Sequence, residues 1–218
     1  MSNPSDRSSD SVQDTDNVAK RVHCVLVVDV SGSMSKAIDE VNRGIARLKA
    51  DIEADDRAKD AVEILLVTFG GAADVAHGFK HISEFDPPSL RANGGTPMGQ
   101  ALQLAYDRLK DRKQDAWDQD IKYSRSWVFL ITDGEPDSDS PWQTAVEKFH
   151  EYQARGGCWF YAFGVGNINR SIMEKLTPPK EPVYTLSDNP GTFTKLLQFA
   201  STASRNPTAT EQKPILSN

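Results

Sequence analysis

The sequence predicts an α/β fold, a doubly wound and mostly parallel sheet with helices on both faces. Two observations carry this. Apolar strand-like runs alternate with amphipathic helix-like segments, as parallel strands joined by helical crossovers require. Two of those runs, Val25 to Asp29 and Val128 to Asp133, end on an acid, and ligands of such sheets collect at the carboxyl ends of strands, where strand order reverses. Right-handed crossovers then place helices on both faces. The 218 residues suffice for one well-buried core and not for two full domains.

Residues 1–20 are Ser, Asp, Asn and Thr with little apolar surface to offset ordering entropy, so a disordered tail is expected there. The domain is expected over 21–204, followed by a flexible tail over 205–218 that contains Pro207 and Pro214. The first strand spans Val22 to Asp29. The next helix, about Lys36 to Ala54, carries Ile38, Val41, Ile45 and Leu48 on one face. Val62 to Phe69 reads as a strand, and Val75 to Phe79, beyond Gly70-Gly71, as an antiparallel edge strand.

A loop with Pro87, Pro88 and Gly94-Gly95 leads into a helix from about Pro97 to Lys110, with Pro97 suited to its first turn. Arg112 to Arg125 reads either as a long loop or as an extension of that helix. Trp127 to Thr132 is a strand, Pro141 to Ala154 a helix closed by Gly156-Gly157, and Cys158 to Val165 a strand. Asn169 to Lys175 is a short helix, Val183 to Leu186 a last strand, and Thr192 to Ala203 a closing helix.

The net charge of −6 argues against nucleic acid or an acidic membrane as main partner. Cys24 and Cys158 sit in separate strand-like segments, two strand spacings of roughly 4.8 Å apart, beyond the ~7 Å reach of a disulfide. Both are expected to be reduced core residues. With no signal-like start and no run of about 18 apolar residues, a soluble cytoplasmic protein is expected.

The chemistry concentrates in three segments. Asp29, Ser31 and Ser33 alternate, so a strand end and an extended turn aim all three at one centre, with Gly32 easing the bend. Thr96 follows the Gly94-Gly95 pair, and Asp133 ends the later strand. Each segment alone is an ordinary helix cap or turn. Together they offer only oxygen, which suits Mg²⁺, with Mn²⁺ and Ca²⁺ as alternatives, and disfavours zinc or copper. Two carboxylates about 4 Å apart repel by roughly 4 kcal/mol at an effective dielectric of 20, and a divalent cation reverses that sign. Two acids and three hydroxyls leave a six-oxygen shell incomplete.

The pattern Asp29-x-Ser31-x-Ser33, Thr96 after paired glycines, and strand-end Asp133 resembles the metal-ion-dependent adhesion site of von Willebrand factor A domains. That resemblance implies Ser31 and Ser33 as direct ligands and Asp29, Thr96 and Asp133 as direct or water-bridged ones. It also implies a Glu or Asp from a protein partner in the open position, and a last helix that moves between open and closed forms. Met34, Pro97, Glu135, Pro136 and Asp137 flank the proposed ion and are expected to form the partner-binding surface. The Leu-Val-Val-Asp-x-Ser-Gly-Ser-Met and Thr-Asp-Gly-Glu-Pro stretches are similar to those of small bacterial proteins of tellurite-resistance and stress operons.

Enzymatic readings lack parts. A Ser31 or Ser33 nucleophile has no Gly-x-Ser-x-Gly elbow, since position 35 is Ser. None of His23, His77, His81 and His150 falls at a strand end where a base would stand. An Mg²⁺-dependent phosphoryl transfer through Asp29, as in haloacid-dehalogenase-like phosphatases, needs an acid two residues on, where Ser31 stands. No phosphate-binding Gly-rich loop occurs. A non-catalytic, metal-dependent protein-binding domain is therefore expected.

Overall fold

The computed structural model describes residues 20–138 and 141–185. Six strands form one sheet: β1 (Val22–Asp29), β2 (Val62–Gly70), β3 (Ala72–His81), β4 (Ser126–Thr132), β5 (Cys158–Gly164) and β6 (Tyr184–Thr185). Their order is β3-β2-β1-β4-β5-β6, with every pairing parallel except the β2–β3 hairpin at one edge. The chain leaves β1 for β2 on one side and later returns to β4 on the other. The switch point of this α/β sheet thus lies between β1 and β4.

Both faces of β1 are covered. Val22, Cys24, Leu26 and Val28 pack on the side of α1 (Ile38–Glu53) and α2 (Asp56–Ala61), whereas Val25 and Val27 pack on the other. That second side carries α3 (Met98–Asp118), α4 (Trp142–Ala154) and α5 (Arg170–Leu176). The period-two alternation of a strand produces the split. Every residue of β1, β4 and β5 is buried.

On α1, Ile38, Val41, Ile45, Leu48 and Ile52 form the buried face. The helix begins two residues later than expected, because a 3₁₀ turn over Gly32–Lys36 comes first. The helix α3 is 21 residues long, so the Arg112 to Arg125 region divides between helix and loop, with Leu109, Lys113 and Ala116 continuing the buried stripe. The edge strand β3 is longer than expected and alternates exposed with half-buried residues. Helix α2 and a 3₁₀ turn at Ile82–Glu84 were not foreseen. Cys24 and Cys158 are buried free thiols, separated by β4. No helix among the described residues is long and apolar enough to cross a membrane. Residues 1–19, the end of the last expected strand at Leu186, the closing helix Thr192 to Ala203 and the tail over 205–218 lie outside the described residues.

Candidate functional site

The carboxyl ends of β1 and β4 stand side by side, since Val28 pairs with Ile131 and the next residues are Asp29 and Thr132. Asp29 is fully buried. Its Oδ1 accepts the Ser31 backbone N–H at 2.8 Å, and its Oδ2 accepts the Thr132 hydroxyl at 2.6 Å. Burial pushes the Asp29 carboxyl up to about 6, the nearby Asp133 charge adds to that, and the hydrogen bonds from Ser31 and Thr132 oppose it.

Ser31 Oγ and Ser33 Oγ lie 3.0 Å apart, the first buried and the second exposed. Two oxygens bound at right angles to a Mg²⁺ ion at about 2.1 Å would be separated by about 3.0 Å, so the serine pair already has that spacing. Asp133 is buried, and its Oδ1 has no hydrogen-bond partner among the described residues. Leaving a buried carboxylate oxygen unsatisfied costs about 1–3 kcal/mol or more, a cost that a cation removes. Among the described residues no three of His, Cys, Asp and Glu cluster for a metal, so the candidate set rests on two carboxylates and three hydroxyls.

The Thr96 loop is stitched to both neighbouring strand ends. Gly32 N–H donates to the Gly94 carbonyl at 3.0 Å, Asn93 N–H to the Val30 carbonyl at 2.7 Å, and Gly71 N–H to the Gly95 carbonyl at 2.9 Å. From the other side Asp137 reaches across: its Oδ1 accepts the Thr96 N–H at 2.9 Å, and its own N–H donates to the Thr96 carbonyl at 3.0 Å. The three segments singled out by sequence therefore share one edge, knit through Asp29–Thr132, Gly32–Gly94 and Thr96–Asp137.

The residues expected to flank the ion divide. Glu135 is exposed, and Pro136 and Asp137 are half-buried. Met34 and Pro97 are buried, Met34 being 1% exposed within the core beside α1. Their apolar side chains face inward, so neither presents a contact surface; the 3₁₀ turn that carries Met34 rotates it toward the core.

Thr132, which sequence spacing did not single out, belongs to the same edge. It donates to Asp29, and its hydroxyl also accepts the Gly134 N–H at 3.0 Å. A hydroxyl closing an otherwise apolar run, in register with a strand-end acid, was the available signal. Asn169 supports the same edge, its N–H donating to the Asp133 carbonyl at 3.0 Å while its side chain caps α5. No histidine hydrogen-bonds to Ser31 or Ser33 among the described residues: His150 meets the Leu176 carbonyl, and His81 meets Ser83.

The model of the von Willebrand factor type A domain matches residues 24–199, most of the chain. The chain belongs to this family. Among solved structures, this VWA domain is similar to BatB from Bacteroides thetaiotaomicron, at 16% identity and a TM-score of 0.60, covering 85% of this chain and 100% of that one. It is also similar to the pilus adhesin SpaC from Lactobacillus rhamnosus GG in an open conformation, at 17% identity and a TM-score of 0.64, over 86% of this chain and 30% of SpaC. A third is the manganese-loaded TRAP protein of Plasmodium vivax, at 21% identity and a TM-score of 0.53, over 75% of this chain and 66% of that one. The chain thus spans less than a third of SpaC. At these identities the likeness establishes the fold. No curated protein matches the chain.

Proposed function

We propose that this VWA domain is a non-catalytic protein-binding module in which Asp29, Ser31, Ser33, Thr96 and Asp133 hold a Mg²⁺ ion that captures a Glu or Asp side chain of a partner. The observation that carries the reading is the orphaned, buried Asp133 Oδ1 beside a buried Asp29 and a serine pair spaced 3.0 Å apart. Bound there, the cation would neutralise the two carboxylates and offer a partner's acid an oxygen-ligand position. Asp29 is held by Ser31 and Thr132, and the Thr96 loop by Asp137, so both enter the site on restrained elements. Mn²⁺ and Ca²⁺ fit the same oxygen set, and the likeness to a manganese-loaded relative is in keeping with this.

Among the described residues no histidine hydrogen-bonds to either serine, and the carboxylate beside Ser31, Asp29, is one of the proposed ligands, which supports binding over hydrolysis. The similarity of the two motif stretches to tellurite-resistance and stress-operon proteins suggests a bacterial stress response as the setting. Calorimetric titration of Mg²⁺ into the wild type, Asp29→Ala and Asp133→Asn tests the centre. Binding by the wild type and a loss of about tenfold or more in each variant is expected; equal binding by all three ends the proposal.

A further inference from the structure

Opposite the candidate metal site, at the amino-terminal edge of the parallel strands, two cavities share Trp117 and Tyr123 as walls. One, of about 270 Å³, also holds Lys110, Lys113 and Tyr152. The other, of about 350 Å³, holds Lys20, Lys122 and Asp120. Trp117 separates them and is 74% exposed, the one large apolar side chain left in solvent among the described residues.

Lys113 is the unusual member. It is 7% exposed on the buried stripe of α3, and it donates to the Gly157 carbonyl. Its ammonium lies 5.1 Å from the Tyr123 ring centre and 4.9 Å from that of Tyr152, over which Lys110 also sits at 5.1 Å. No carboxylate among the described residues pairs with Lys113. Burial pushes its ammonium down to about 8, and the neighbouring cations are Lys110 and Arg125. Carbonyl and ring faces compensate a buried charge only in part. A carboxylate entering the cavity would supply the missing counter-charge, and the exposed indole would receive an apolar neighbour of that carboxylate.

We propose that this cavity pair docks an acidic peptide segment of a partner protein, one carboxylate seated between Lys110 and Lys113 and an adjacent aromatic side chain laid on Trp117. A peptide suits the site better than a nucleic acid, because the two ammonium groups, 5.1 and 4.9 Å from the one Tyr152 ring centre, match a single carboxylate rather than a run of phosphates. The site is independent of the metal edge.

The test is fluorescence-anisotropy titration of a labelled, acetylated Glu-Glu-Tyr-Glu-Glu peptide with the full chain in EDTA. Saturable binding that weakens with salt is expected, with a Gln-Gln-Tyr-Gln-Gln peptide failing to bind. Trp117→Ala and Lys110→Glu, both on the surface, are each expected to weaken it by about tenfold. Absence of binding, variant affinities within about twofold of wild type, or binding that requires Mg²⁺ would overturn the proposal. So would tighter binding of a single-stranded oligouridine. Tighter peptide binding after Asp6, Asp10, Asp14 and Asp16 are all changed to Asn would assign the site to the chain's own acidic start instead.

Discussion

Asp137 shows how a single carboxylate can be read two ways. Its place after the Thr-Asp-Gly-Glu-Pro stretch suggested a partner contact, yet its Oδ1 and its backbone N–H both engage Thr96. A Cβ at Gly95 would lie 3.1 Å from both Asp137 carboxylate oxygens, so a side chain there would press on the carboxylate that holds Thr96. Asp137→Ala should therefore free the Thr96 amide, costing about 1–2 kcal/mol, and weaken Mg²⁺ binding severalfold. Asp137→Asn, which keeps the accepting oxygen, should stay close to wild type. Hydrogen exchange at the Thr96 amide in metal-free protein checks this, and unchanged protection in Asp137→Ala would exclude the latch. Sequence spacing singled out Asp29, Ser31, Ser33, Thr96 and Asp133 as candidates because each ends or follows a recognisable element. It could not identify Asp137 as a latch or Thr132 as a partner of Asp29, because those roles depend on which strand ends become neighbours.

At the scale of elements, the loop Asn93–Gly95 depends on a close backbone approach. Gly94 has φ +78°, and a Cβ there would meet the Gly71 nitrogen at 2.6 Å. Both the left-handed backbone and the contact oppose any side chain. Gly94→Ala should cost about 2–4 kcal/mol and loosen the Thr96 loop from the ends of β1 and β2. Gly78→Ala, in β3 with nothing near the added carbon, should change stability by no more than about 0.5 kcal/mol. Urea unfolding of the two variants decides the matter; equal losses would mean that the loop stitching contributes nothing. The strands and the α1 face were legible because burial on one or two faces writes itself into apolar periodicity. The length of α3 was not, because Lys113 occupies a stripe position that periodicity reserves for an apolar residue, and only its contacts with Tyr123, Tyr152 and Gly157 explain a lysine there.

Across the described residues the two edges of the sheet carry different chemistry, the buried acids Asp29 and Asp133 at the carboxyl ends of β1 and β4, and the buried bases His23 and Lys113 with the buried acid Glu63 at the other end. His23, near the start of β1, is 1% exposed, has an unpartnered Nδ1 among the described residues, and meets Phe79 edge-on at 5.4 Å and Tyr123 at a tilt at 5.6 Å. Burial holds its pKa down at about 4, although the Glu63 carboxylate 3.8 Å away acts to raise it. Burial also acts to raise Glu63, but hydrogen bonds from Arg112 at 2.7 and 2.8 Å carry it below the ordinary carboxylate range. For His23 the unfolded chain takes up its proton near pH 6.5 and the folded one only near 4. Its contribution to stability is thus complete above about pH 6.5, declines as pH falls through that window, and levels off below about 4. Asp29 acts in the opposite sense, since its raised pKa makes the folded state relatively better as pH falls through about 6. The two partly offset each other in the wild type, so the difference between wild type and His23→Phe is the quantity to measure. Between pH 7.5 and pH 4.5 the wild type should lose roughly 2–3 kcal/mol more than His23→Phe, read from urea unfolding at each pH in EDTA. Parallel losses in the two proteins would mean that His23 takes up its proton in the fold at the same pH as in the unfolded chain, and that burial does not hold the proton off.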